Sequence, residues 1–294
     1  MISLTVHQKL LPLIMIFINP RTDFAFKKIF GSEQSHDILI SFLNGILYAG
    51  EPTIQDLTII NPYQAPIIKG LKSTYLDIKA ELKTGEIVVI EMQVLNVAGF
   101  EKRILYNAAK AYSAELAEGQ SYANLNPVIA LTITDFVMFD DMEQYISRFI
   151  LQEKDCLINY PIQDLELVFV ELPKFNRSLS ELESLSDRWI YFLQHAPDLE
   201  TIPEKMAEIP EMNQAFAIAN KATLTREELD EQHRQSFFIH DQRGIAIKAL
   251  EQGIEQGIRE NQVQTVLRLL AILDDETIAQ VTGMPIGDVQ KLRN

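Results

Sequence analysis

The segment TYLDIKAELKTGEIVVIEMQV, residues 74–94, constrains this chain more than any other. Two alternating runs flank Lys83-Thr84-Gly85, a three-residue loop whose final glycine suits the left-handed position of a bulged hairpin turn. With Leu82 facing Glu86, counting back along both strands sets Asp77 across from Glu91 and Tyr75 across from Gln93. Side chains alternate along a strand. Asp77, Lys79, Glu91 and Gln93 therefore share one face, and Ile78, Ala80, Val88, Ile90 and Met92 make the apolar one.

Directly opposed like charges, about 4.5–5.5 Å apart at Cβ, destabilise a hairpin. Solvation, a basic neighbour or a divalent cation must offset them. Two convergent carboxylates with room for water and phosphate oxygens suit Mg²⁺. Such a metal activates water and stabilises charge building on a phosphodiester. An exposed hairpin of solvated acids fits the same spacing.

Around the hairpin the pattern reads as α/β. TDFAFKKIF, with Thr22 or Asp23 as N-cap, and HDILISFLNGIL read as helices, the second ending near Gly50. LTIINPY, LDIKAEL, EIVVIEMQV, PVIALTI and LELVFVEL read as strands. FEKRILYNAAKAYSAELAEG predicts a helix that stops at Gly119 and buries Ile104, Leu105, Ala108, Tyr112 and Leu116. Alternating strands and helices predict one mixed central sheet flanked by helices. After Lys174 the pattern is helical, punctuated by Pro197, Pro203 and Pro210. In the tail, Ile247, Leu250, Ile254 and Ile258 form one apolar helix stripe. TIAQVTGMPIGDVQKL then reads as helix, tight turn and short helix. This tail fits either self-association or part of a helix-turn-helix. The organisation expected is an N-terminal extension over 1–18, an α/β domain over 19–178, an acidic helical region over 179–240 and a helical tail over 241–294.

The net charge of −15 is unevenly spread. Residues 19–110 are balanced, with ten Lys/Arg against ten Asp/Glu, whereas residues 111–240 hold nine against twenty-three. An anionic partner is thus tolerated in the first part and repelled by the middle. The single cysteine, Cys156, excludes an intrachain disulfide and a C-x-x-C motif, which suits a reducing cytoplasm. No apolar run reaches the ~18 residues of a membrane span. LLPLIMIFI, residues 10–18, resembles a weak signal core without a cleavage site, and Met15 offers an alternative start. Mononucleotide- and dinucleotide-binding glycine motifs and the G-x-S-x-G elbow are all missing. His233 and His240 lack a third ligand, and Trp189 reads as core.

Asp77, a hairpin turn, then Glu91-x-Gln93 resembles the core of PD-(D/E)XK nucleases. Further motifs narrow the likeness: TDFAFKKIFG at 22–31, ILISFLNGIL at 38–47, FEKRILYNAAKAYS at 100–113, and the run from PVIALTITDF to LVFVELPKF. With these, residues 16–178 resemble the recombination-promoting nuclease and transposase family of that superfamily. The resemblance implies a restriction-endonuclease-like fold followed by an α-helical region. It also implies a metal-dependent DNA endonuclease, using Mg²⁺ or Mn²⁺ and connected with recombination or mobile elements. Asp77 and Glu91 match the metal-binding acids, and the Met92 backbone carbonyl is a further ligand.

Gln93 falls where the superfamily usually has Lys and is expected to position water. Asp23 matches the acid of the first helix and is expected to complete the metal's outer shell, with helix capping an equal reading. Arg103, Tyr106, Asn107 and Lys110 lie at helical spacing on one face, and Arg103 and Lys110, with Lys79, are the candidate phosphate contacts. The partners implied are DNA and, through residues 241–294, a second copy. The rival reading is a non-catalytic protein that keeps the fold for DNA tethering or assembly.

Overall fold

The computed structural model describes residues 17–64, 74–116 and 119–293. The expected extension therefore lies outside the described residues, apart from Phe17 and Ile18. Those two are not loose: both are fully buried, and the Ile18 N–H donates to Ala219 O at 2.8 Å.

The chain divides into two compact units at Phe237–Phe238. In the first, the described strands are β1 (Leu57–Ile60), β2 (Tyr63–Gln64), β3 (Thr74–Tyr75), β4 (Ile78–Leu82), β5 (Ile87–Gln93), β6 (Val128–Thr134), β7 (Ile146–Phe149) and β8 (Leu165–Glu171). Six form one mixed sheet in the order β1-β4-β5-β6-β8-β7, and β2 pairs with β3 apart from it. The β1–β4, β4–β5 and β7–β8 pairs are antiparallel, whereas β5–β6 and β6–β8 are parallel. β6 is buried along its whole length, as VIALTIT predicts for a strand covered on both faces. β7 has no counterpart among the sequence-based strands.

The apolar hairpin face (Ile78, Ala80, Val88, Ile90 and Met92) joins the main core. There it meets α1 (Asp23–Phe30), α2 (His36–Tyr48), α4 (Leu185–His195) and α6 (Pro210–Ala219), which follows the short α5 (Glu204–Ala207). Trp189, Phe192 and Phe216 lie in that core beside Phe30 and Phe42, so residues 179–237 complete the α/β unit. The opposite face takes α3 (Phe100–Ser113), whose Ala108 and Ala111 pack with Ile87, Val89 and Ala130. α3 ends at Ser113, short of Gly119, and Leu105 is 52% exposed. The helix turns Asn107 and Lys110 inward instead, and both are buried.

α7 (Arg226–Leu269) begins in the first unit, where Gln232 and Gln235 meet α1, and continues without a break into the second. Its last turns, with α8 (Asp275–Thr282) and α9 (Ile286–Arg293), enclose a small core of Val266, Ile278, Met284 and Val289. The expected helix–turn–helix is present, with Gly283 at φ +68°.

One buried acid ties α4 to the sheet. Asp187 accepts N–H bonds from Ser184 and Glu183, the Tyr145 hydroxyl at 3.1 Å and Arg177 Nη1 at 2.5 Å. Burial pushes its carboxyl up, but these donors outweigh burial and hold it below the usual carboxylate range. A lowered folded pKa contributes stability above that range and loses it as pH falls. Asp187→Ala should cost roughly 2–4 kcal/mol at neutral pH in urea unfolding, and less in acid.

Candidate active site

The hairpin turns as its sequence predicts. Gly85 sits at φ +102°, and Leu82 N–H donates to Glu86 O at 2.9 Å. The register runs Glu81–Ile87, Ala80–Val88, Lys79–Val89 and Ile78–Ile90. The ladder stops there, one position before the acids, because the chain bends at Asp77. Tyr75 consequently pairs with Tyr63, which corrects the expected pairing with Gln93. The Asp77 carboxylate stays behind and accepts the Met92 N–H at 2.7 Å, taking a donor that a continuing strand would have bonded.

From the other side α1 reaches the same carboxylate. Thr22 caps this helix by accepting the Ala25 N–H, which leaves Asp23 out of the capping role. Asp23 instead meets Lys27 at 2.5 Å, and the same Lys27 Nζ lies 3.4 Å from Asp77. Gly31 lets the helix end settle here: a Cβ on it would stand 3.2 Å from Ile78 Cγ1. Burial above all, with the charges of Asp23 and Glu91, outweighs the Met92 N–H and Lys27 and raises the Asp77 carboxyl to about 7. For Lys27, burial works against its charge, but the two aspartates more than restore it.

Glu91 is held by α3. Asn107 Nδ2 donates to its Oε1 at 2.5 Å, and Arg103 Nη2 lies 3.5 Å from its Oε2. Burial raises the Glu91 carboxyl against the opposing pull of Arg103 and Asn107. The same Arg103 Nη2 donates to Gln93 Oε1 at 2.6 Å, and Gln93 Nε2 donates to Leu95 O at 2.6 Å. The amide of Gln93 is thus fixed in orientation, with a guanidinium beside it.

Other expected contacts fall elsewhere. Lys110 is buried and donates to Gln64 O at 2.9 Å. The cause is one helical turn: α3 faces the sheet through Asn107, and Lys110 follows it inward. Tyr106, 43% exposed, carries the Lys110 ammonium over its ring at 5.8 Å. Lys79 lies 3.7 Å from Glu115. Sequence reasoning placed Asn107 on the right helix face without a role, and it missed Lys27. The i,i+4 spacing from Asp23 was the available signal for Lys27.

A family model described as PD-(D/E)XK nuclease family transposase matches residues 20–249. The chain belongs to that family. No curated protein and no solved structure matches it. The six-stranded mixed sheet flanked by helices, with its helical C-terminal region, is restriction-endonuclease-like. Members of this superfamily generally use divalent metals. The donor chemistry here fits one: both carboxylates are raised by burial, the charge of Glu91 raises Asp77 further, and Lys27 is shared with a third acid. Among the described residues no group of three or more His, Cys, Asp or Glu forms a metal cluster.

A raised folded pKa means that, without metal, the Asp77 site costs stability as pH climbs towards about 7. Asp77→Asn keeps the acceptor for Met92 and removes the charge. In EDTA its melting temperature should exceed the wild-type value by a margin that grows from about pH 5 to about pH 7 and then levels. A variant less stable than wild type throughout would make Asp77 a structural acid.

Proposed function

We propose that this protein is a metal-dependent DNA endonuclease that hydrolyses phosphodiesters in recombination or mobile-element biology. The observation that carries the reading is the desolvated Asp77–Glu91 pair, set at the end of a nuclease-family hairpin with Arg103 against it. A bound Mg²⁺ or Mn²⁺ would activate water and offset charge on the phosphodiester. Asp77 and Glu91 hold it, with the Met92 backbone carbonyl as a further ligand. Arg103, 41% exposed at its side chain, binds the phosphate and supplies the positive charge that Gln93 lacks. Gln93 orients water through its fixed amide. Asp23 keeps Lys27 against the acids. No described helix is long and apolar enough to cross a membrane, and the lone Cys156 suits the cytoplasm, where we place the protein.

Supercoiled plasmid incubated with the protein should be nicked or linearised with Mg²⁺ or Mn²⁺ and left intact in EDTA. Asp77→Ala and Arg103→Ala should each lower the rate roughly 100-fold or more. The rival reading, a non-catalytic DNA-tethering or assembly protein, draws on Gln93, whose amide exchanges no proton near neutral pH. Retarded but uncut plasmid under every metal condition would favour it.

We also propose that residues 241–294 join two copies. Ile247, Leu250, Ile254 and Ile258 are each more than half exposed on α7, and a Cβ at Gly244, Gly253 or Gly257 would meet nothing within 4 Å. Each glycine costs about 1 kcal/mol against alanine in a helix interior. A helix so weakened, with an apolar stripe in water, gains most by pairing with another. Light scattering at tens of micromolar should report a dimer for the wild type and a monomer for Leu250→Glu/Ile254→Glu. A monomeric wild type would remove this partner.

A further inference from the structure

Among the described residues, the side chain that grips Glu91 carries a buried atom with no partner. Asn107 is 3% exposed, and its Oδ1 takes part in no hydrogen bond. An unsatisfied buried acceptor costs about 1–3 kcal/mol. The neighbouring inward positions of α3 are Ile104, Ala108 and Ala111, with Lys110 the other buried polar residue of the helix. The amide is kept despite that cost, and its other end shows why.

Asn107 Nδ2 donates to Glu91 Oε1 at 2.5 Å, whereas Glu91 Oε2 faces the half-exposed Arg103 at 3.5 Å. The two carboxylate oxygens are therefore unequal. One is tied into the buried helix–sheet contact, and the other looks towards the accessible side of the site. We propose that Asn107 is a positioning residue that locks the Glu91 rotamer and commits Oε2 to the metal. This rests on the metal-dependent reading above. Partners that orient a ligating carboxylate typically change metal affinity by about 10–100-fold when removed.

Calorimetric titration of the full chain with Mn²⁺, with no DNA present, tests this. Asn107→Leu should bind about 10–100-fold more weakly than wild type. Tyr112→Phe, which breaks the Tyr112–Asp164 hydrogen bond on the same helix, should bind like wild type. Should Asn107→Leu fail to fold by circular dichroism, Asn107→Ala carries the same expectation. Affinity within about threefold of wild type in the folded variant overturns the assignment and leaves the metal-dependent reading standing. An equal loss in Tyr112→Phe also overturns it, since any disturbance of α3 would then suffice. A wild type that binds no Mn²⁺ removes both.

Discussion

The site depends on a strand that leaves the sheet while its partner β5 still runs three residues further, to Gln93. Up to Ile78 the β4–β5 ladder is regular; at Asp77 the backbone turns away, and a side chain takes over the Met92 N–H. That exchange has two results. The bend opens the edge of the sheet at the point where β5 ends in Glu91, Met92 and Gln93. It also draws a carboxylate out of water, where its charge is costly unless a cation stands close. Lys27 supplies only part of one, since Asp23 holds it more closely. The rest of the architecture serves this edge: Gly31 brings α1 against Ile78, and α3 lies across the opposite face of β5.

α3 illustrates how a missing residue type can be offset by geometry. Gln93 brings no charge, yet Arg103 touches both Gln93 and Glu91 through one nitrogen. The arrangement sets a guanidinium where the superfamily usually has a lysine ammonium. On the proposed reading, Arg103 would hold phosphate.

The hairpin was legible because two strong local rules agree there: the period of two sets the faces, and the glycine loop sets the register. From these came the apolar face that joins the core and the placement of Glu91 and Gln93 together. The bend at Asp77 was not legible, since it depends on where β3 finds β2, a pairing between two-residue strands too short to carry a period-two signal. The orientation of α3 failed for a related reason. Arg103, Asn107 and Lys110 share a stripe on a helical wheel, but only tertiary packing decides which turn meets the acids and which meets Gln64. Acidity misled as well. The negative charge of 179–240 suggested a separate region, whereas its apolar positions Trp189, Phe192 and Phe216 complete the main core. Charge pattern reports the solvent face of a helix and says little about what its other face covers.

Charge balance at the sheet edge links the structure to the proposed chemistry. Asp23, Asp77 and Glu91 stand against Lys27 and Arg103, which leaves one negative charge in excess when all five are ionised. The site lies in the balanced part of the sequence, while the strongly acidic part, residues 111–240, repels polyanions. A phosphodiester entering this edge brings a second negative charge and would be repelled by the acids alone. A divalent cation matches those two charges, and in a desolvated setting the attraction is stronger than in water. On the proposed reading, metal and phosphodiester would favour each other's binding at this edge.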